Sequence, residues 1–185
     1  LFYGDKLCTL LQAACQHTKG DSLFGYEVKD PHRYGVVELG PCNEVLSIEE
    51  KPLQPKSNIA VTGLYFYDNQ VIEVAKQLKP SQRGELEITD INLHYIRQHT
   101  AQLHLMGRGF AWLDAGTYES LMQASHFVQI IEERQGHYVA SLEEIAFEQG
   151  FICANQLMEL GEKLGKSPYG HYLIDIANKG KSNGN

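Results

Sequence analysis

The sequence has no basic run and no surplus of cations: 16 Lys and Arg stand against 23 Asp and Glu, a formal net charge of -7. A nucleic-acid partner is therefore not expected, because neutralising phosphates along a strand takes clustered Lys and Arg. The four cysteines (Cys8, Cys15, Cys42 and Cys153) form no CxxC pair and no zinc-like spacing; they read as reduced packing residues of a cytoplasmic protein. There is no HExxH, and His94, His99 and His104 recur at intervals of five, which does not align them on one helical face. No apolar stretch approaches the length of a membrane span and no charged-then-apolar leader opens the chain, so no membrane partner is expected either. Internal repeats and low-complexity segments are also missing. What remains is 185 residues, 43% apolar and 21% charged, an ordinary composition for a globular chain with a real core.

Periodicity and punctuation give an element order. Leu7, Leu10, Leu11 and Ala14 recur at helical spacing within 6–17. Residues 22–28 read as a short strand closed by Asp30-Pro31, and 34–39 and 44–50 as two strands joined across Gly40-Pro41-Cys42-Asn43. Two prolines make 52–57 an exposed loop. Residues 59–67 (IAVTGLYFY) form the most strand-like stretch, interrupted by Gly63, a residue that in strands often marks close approach of a ligand or of another backbone. Asp68 is placed to cap a helix over 70–78 that Pro80 stops, and a second helix is predicted over 87–98. Short strands follow at 103–106 and 111–113. Thr117 then caps a long helix over 118–135, ended by Gly136, and Ser141-Leu142-Glu143-Glu144 is a capping box for a short helix that Gly150 ends. Two more helices are predicted over 155–164 and 169–178, with the tail 179–185 fraying. Strands mixed with helices, then helices alone from about Thr117, predict a layered α/β core with a C-terminal helical appendage.

Several segments carry side chains that pack poorly and recognise well. In Ser47-Ile48-Glu49-Glu50-Lys51-Pro52, two carboxylates and a lysine follow an apolar strand. Carboxylates hold sugar hydroxyls through charge-assisted hydrogen bonds and an ammonium neutralises phosphate, but a solvated strand end has the same composition. In 107–117 (GRGFAWLDAGT), Asp114 ends a strand just before a helix start; it suits either Mg²⁺ or the helix cap. Arg83, in 83–90 (RGELEITD), is placed either to meet an anion or to join a charged first turn. A further segment, 30–37 (DPHRYGVV), has the same mixed character.

Taken in order and spacing, GYEVKDPHRYGVVE, SIEEKPLQPKSNIAVTGLYFYD, KPSQRGELEITDIN and GRGFAWLDAGTYESLMQAS resemble the bacterial glucose-1-phosphate thymidylyltransferases over nearly the whole chain. The resemblance implies a three-layer α/β/α nucleotide-diphospho-sugar transferase core of Rossmann-like type over 1–136 and a helical appendage over 137–185. It implies formation of dTDP-glucose and pyrophosphate from dTTP and glucose 1-phosphate, for dTDP-rhamnose-type deoxysugars and cell-surface polysaccharide. By the same resemblance, Tyr34, Gly35, Glu50, Lys51, Val61, Gly63 and Tyr65 line or shape the sugar-phosphate site, with Glu50 on sugar hydroxyls and Lys51 on the phosphate. Arg83 adds charge near the phosphates, and Asp114 is one of two aspartates that hold Mg²⁺. Tyr3, Gly4, Ser141, Glu144 and Ile145 align with segments near an end-product (dTDP-sugar) regulatory site at the contacts of a tetramer. Ala115 stands where Thr is commoner.

The chain opens at Leu1 inside an apolar run and reads as the end of a strand begun upstream. The glycine-rich loop, the base-reading segments and the second aspartate are thus expected to lie before it, leaving this chain inactive alone, with open strand edges and exposed apolar surface. A uridylyl- or cytidylyltransferase acting on the same sugar phosphate, or a non-catalytic sugar-phosphate-binding or oligomerisation module, remains the alternative.

Overall fold

Apolar residues at alternate positions put two faces on the sheet, and each face takes a helix. The computed structural model describes residues 1–81 and 83–182. Its elements run β1 (Phe2–Gly4), α1 (Leu7–Cys15), β2 (Asp21–Glu27), a 3-10 turn (Pro31–Arg33), β3 (Gly35–Leu39), β4 (Val45–Glu50) and β5 (Ile59–Tyr67). They continue with α2 (Val71–Lys76), α3 (Ile88–Arg97), β6 (Ala101–Met106), β7 (Phe110–Trp112), α4 (Tyr118–Gln135), α5 (Leu142–Glu148), α6 (Ala154–Lys163) and α7 (Pro168–Ser182). Five strands form one mixed sheet in the order β4-β3-β5-β2-β6, and β1 and β7 form a separate antiparallel pair. Among the described residues only β2 and β6 pair in parallel.

Along β5, Val61 and Tyr65 face a cluster with Val37, Ile48 and, from α3, Leu93 and Ile96. Leu64 and Phe66 face the opposite way, towards Phe24, Met106 and, from α1, Ala14, Leu10 and Leu11. This period of two gives a three-layer arrangement of helix, sheet and helix. The alternation slips once. Between Leu23 and Gly25 of β2, strand β5 carries extra residues, a bulge in which Gly63 takes φ 79 with open space where a Cβ would stand.

The outer strands β4 and β6 are open edges, and Leu105 on β6 is half exposed; Tyr118 and Met122 of α4 are also exposed.

Contacts divide the chain within α4, into Leu1–Ala124 and Ser125–Asn185. In the second unit, Leu157, Leu173 and Ala177 form the core where α6 and α7 meet. Gly161 and Gly170 let the helices close, since a Cβ on Gly161 would come within 2.9 Å of the Gly170 carbonyl oxygen. Helix α7 extends through Ser182, so residues 179–182 of the expected frayed tail are helical; the rest of that tail lies outside the described residues.

Four local expectations need correction. All four cysteines are free, as expected, but exposed rather than packed in the core; Cys153 instead heads α6, its backbone N–H donating to Gln156 Oε1 at 2.9 Å. Pro52 is buried within its loop. Asp68 does not cap α2, whose N-cap is Gln70. It accepts instead from the backbone N–H of Gly20 (2.9 Å), the Tyr95 hydroxyl (2.9 Å) and the Gln70 N–H (2.9 Å), tying the start of β2 to the end of β5. The capping box at Ser141 is half made: Ser141 Oγ accepts from the Glu144 N–H, while the Glu144 carboxylate accepts from the Tyr172 hydroxyl instead of returning to the cap.

Gly20 has the least tolerance. It sits at φ 96, and an added Cβ would stand 2.1 Å from the Thr100 carbonyl oxygen. Gly20→Ala combines a disfavoured backbone with a clash against an atom held by the Asp21 N–H, so a loss of at least about 3 kcal/mol is expected. Urea unfolding measures it, and an unchanged midpoint would contradict the clash.

Candidate functional site

Strand β4 delivers Glu50 to the N-terminal turn of α3. Gly35 pairs with Glu50 across β3 and β4, and Thr89 Oγ1 donates to Glu50 Oε2 at 2.8 Å. A Cβ on Gly35 would lie 3.1 Å from Glu50 Oε2 and 3.7 Å from Thr89 Oγ1, so the glycine keeps room for the carboxylate. Around it opens a recess of about 320 Å³, lined by Ile48, Glu50, Ser81, Arg83, Glu87 and Thr89 among others. A half-exposed carboxylate held by one hydroxyl keeps acceptor capacity for ligand hydroxyls.

Lys51 takes φ 45. A proline ahead ordinarily favours extended backbone; Lys51 is left-handed instead, which ends the strand's alternation at that point. Its backbone N–H donates to the Tyr34 carbonyl at 3.0 Å, so β4's end stays tied to the start of β3 despite the turn. Among the described residues the Lys51 ammonium has no ion pair, and its side chain is exposed. Left-handed backbone in a non-glycine residue costs about 1 kcal/mol or more; Asn43, His99 and Ala140 share it.

Arg83 shares the recess with Glu50, but its guanidinium is engaged, 3.1 Å from Glu85 and 3.4 Å from Glu87. A phosphate there would compete with Glu85, which is exposed, and with Glu87, whose side chain is largely buried.

A second group gathers where β7 ends. Trp112 packs edge-on against Tyr34 (centroids 5.1 Å) and Tyr26 (6.0 Å), and Arg33 lies over the Tyr34 ring at 5.5 Å while pairing with Asp30. Burial pushes the Tyr34 hydroxyl up, the nearby Arg33 cation opposes that, and Asp30 and Asp114 add to it. Asp114 therefore stands close to the Arg33–Tyr34 pair. The β1–β7 pairing runs on through Leu1 and Leu113, which exchange both backbone hydrogen bonds, so Asp114 follows directly on a paired position. It is half-buried, and a Cβ on Gly116 would approach its Oδ2 to 3.1 Å. No cluster of three or more His, Cys, Asp or Glu that could hold a metal occurs among the described residues. A single carboxylate still suits Mg²⁺, which keeps waters and draws further oxygens from bound phosphates.

The remaining pocket residues divide by environment. The Val61 side chain is buried in the cluster with Val37, Ile48 and Ile96. Tyr65 is mostly enclosed, and its hydroxyl is raised by burial first and then by the Glu50 charge. Thr89 and Trp112 were not singled out from sequence. Thr89 carried a signal, a polar residue between Ile88 and Ile91 on a predicted helix.

The model of the nucleotidyl transferase family matches residues 1–130. The chain belongs to that family. Glucose-1-phosphate thymidylyltransferase of Neisseria meningitidis serogroup A is 49% identical over 179 residues, 97% of this chain and 62% of its own length. That of Mycobacterium tuberculosis is 48% identical over 176 residues, 95% of this chain and 61% of its own length. The chain thus spans under two thirds of these relatives. A crystal structure from Bacillus anthracis, described as a candidate glucose-1-phosphate thymidylyltransferase in complex with a sucrose, superposes with a TM-score of 0.60 at 39% identity, covering 69% of this chain and 50% of that one. An apo UDP-glucose pyrophosphorylase at 20% identity shares the fold (TM-score 0.59, 72% and 52% coverage).

Within this nucleotidyl transferase chain, Tyr3 and Gly4 lie on β1, where a Cβ on Gly4 would meet the Phe110 ring at 2.5 Å. In the second unit, Ser141 caps α5, Glu144 pairs with Tyr172 at the edge of a Tyr138–Tyr169–Tyr172 cluster, and Ile145 is exposed. Among the described residues no helix is long and apolar enough to cross a membrane.

Proposed function

We propose that the full-length protein is a glucose-1-phosphate thymidylyltransferase and that residues 1–136 of this chain carry the sugar-phosphate half of its site, with 137–185 as a helical appendage. The observation that carries this reading is the Gly35–Glu50–Thr89 arrangement with Lys51 unpaired beside it, on a chain about half identical to enzymes of that name.

In this reading a phosphate oxygen of glucose 1-phosphate attacks the α-phosphorus of dTTP in line, pyrophosphate leaves, and no covalent enzyme intermediate forms. Glu50 accepts hydrogen bonds from sugar hydroxyls. Tyr34, Gly35, Val61, Gly63 and Tyr65 shape the cavity, the bulge at Gly63 leaving open space at the sheet. Lys51 neutralises the sugar phosphate, and Arg83 turns from Glu85 and Glu87 to the phosphates, so positioning and charge do the catalytic work. Asp114 would hold Mg²⁺, which would offset phosphate charge when bound. We place the enzyme in the cytoplasm as a tetramer that serves dTDP-rhamnose-type pathways. End-product control would act at Tyr3, Gly4, Ser141, Glu144 and Ile145.

The deciding experiment measures pyrophosphate release by the full-length enzyme with glucose 1-phosphate and each of dTTP, UTP and CTP. We expect dTTP to exceed the others at least tenfold in kcat/KM, and Asp114→Asn to remove most of the magnesium-dependent activity. Equal use of UTP would move the protein to the uridylyltransferases, and no turnover with any of the three would remove the assignment.

A further inference from the structure

The turn that leads into α3 surrounds one cation with carboxylates. The described lining of the recess around Glu50 includes four of them, Glu49, Glu50, Glu87 and Asp90, against one cation, Arg83. Arg83 Nη1 donates to Glu87 Oε1 at 3.4 Å, and its Nη2 lies 3.1 Å from Glu85 Oε2. Each terminal nitrogen of the fork thus already faces a carboxylate, where a phosphate bound bidentately needs two N–H groups of that fork. The two partners differ. The Glu85 side chain is 63% exposed, whereas that of Glu87 is 14% exposed and is held from a second direction by Ser81, whose Oγ donates to the same Oε1 at 3.0 Å. Ser81 is itself pinned. Its N–H donates to the Glu85 carbonyl (2.8 Å), its carbonyl accepts from Gly84 (2.9 Å) and its Oγ accepts from the Arg83 N–H (3.1 Å). Glu87 is also the N-cap position of α3, two residues before the Thr89 that holds Glu50. An exposed ion-pair partner is given up to water at little cost; an enclosed and anchored one is not.

We infer that Glu87 is a resident competitor for phosphate at Arg83: it engages the guanidinium until the sugar phosphate displaces it, and so sets the affinity for glucose 1-phosphate. The inference rests on reading Arg83 as a cation for that phosphate. Binding then exchanges one anion for another, and what the phosphate gains at Arg83 is reduced by what Glu87 gives up. Glu87 is a positioning residue in this scheme and acts through Arg83. The exchange is complete before the phosphate oxygen attacks, so KM carries its effect and kcat does not. The start of α3 thereby acts twice, Thr89 through Glu50 on the sugar and Glu87 through Arg83 on the phosphate. Because Glu87 and Arg83 are in direct contact, the effects of changing them do not add.

The test is a double-mutant cycle in the full-length enzyme, Glu87→Gln alone and with Arg83→Ala, reading KM for glucose 1-phosphate, kcat, Tm and the Ki of inorganic phosphate. Glutamine keeps an oxygen for Ser81 and removes the charge. Glu87→Gln is expected to lower KM for glucose 1-phosphate and the phosphate Ki about threefold to fivefold, the upper range for exposed ion pairs, with kcat changed less than about twofold. In the Arg83→Ala background the same change shifts KM less than about 1.5-fold, because the pair no longer exists. An unchanged or raised KM overturns the inference and leaves Glu87 a structural anchor for Ser81. An equal fall in both backgrounds also overturns it, since the carboxylate would then act on the phosphate by repulsion alone. Glu87→Ala, with the same expected direction, answers the question if Glu87→Gln does not fold. Arg83→Ala separates the two levels. If it leaves KM for glucose 1-phosphate unchanged, Arg83 does not meet the sugar phosphate and that reading fails; if it raises KM while Glu87→Gln does not lower it, only the competitor role fails.

Discussion

Replacing Lys51 with alanine in the full-length enzyme should lower kcat by about a hundredfold or more while the protein stays folded. The ammonium is exposed and unpaired among the described residues, so its removal breaks no contact that stabilises the fold. Its backbone is held in place independently, by the 3.0 Å bond from its N–H to Tyr34 and by the buried Pro52 that follows. A cation fixed beside a phosphate that gains or redistributes charge in the transition state is worth about 10²–10³ in rate, similar to a single oxyanion donor. Glu50→Ala is the contrasting case. Its carboxylate contacts the sugar equally in ground and transition states, so KM for glucose 1-phosphate should rise by about one order of magnitude with kcat little changed. Steady-state kinetics with varied glucose 1-phosphate distinguish them, with circular dichroism as the check on folding. A Lys51 variant with near-normal kcat would show that the φ 45 turn serves only to end the strand.

Asp21→Asn should stabilise the protein at neutral and higher pH. Asp21 is completely buried, and neither carboxyl oxygen makes a hydrogen bond to another residue. Burial, with the nearby Asp68 charge, pushes its pKa up to about 7. The folded state therefore holds a proton that the unfolded chain releases near pH 4. This raised carboxyl favours folding most below pH 4, and the benefit is lost as pH climbs through about 7, so that ionisation costs up to about 4 kcal/mol in the alkaline limit. Asparagine keeps the shape without the charge. Tm measured from pH 5 to 8 should fall more steeply with pH for the native protein than for Asp21→Asn, with the variant ahead by several degrees at pH 8. His104, whose pKa burial lowers, is present in both proteins, so the difference between the two curves reports Asp21. Parallel curves would mean that Asp21 is solvated or paired in solution.

How much of this was legible in the chain depends on the range of the forces involved. Helices α1, α3 and α4, the hairpin of β3 and β4 and the strand β5 were all readable because periodicity, caps and turn residues act within about ten residues. Thr117 caps α4 as its sequence indicates, its Oγ1 accepting from the Ser120 N–H at 3.1 Å. Glu50, Lys51 and Asp114 were singled out on the pattern of their segments and on resemblance. The residues that complete the site were not. Glu50 meets Thr89 across 39 positions, and Tyr67 meets Asn92 across 25. No local pattern records such contacts, because they are set by which strands pair and in which register. Lys51 is left-handed although a following proline favours extended backbone, and its N–H is bonded to the Tyr34 carbonyl, a contact set by the pairing of β3 with β4. Asp68 likewise sits where a cap belongs, yet the end of β5 brings it to Gly20 and Tyr95 instead. The sequence by itself determined the elements, the family and the candidate carboxylates and cations, because those follow from short-range periodicity and motif. Only the tertiary structure decided which helix holds Glu50 and which buried carboxyl stays protonated, because hydrogen bonding and desolvation depend on residues brought together from distant parts of the chain.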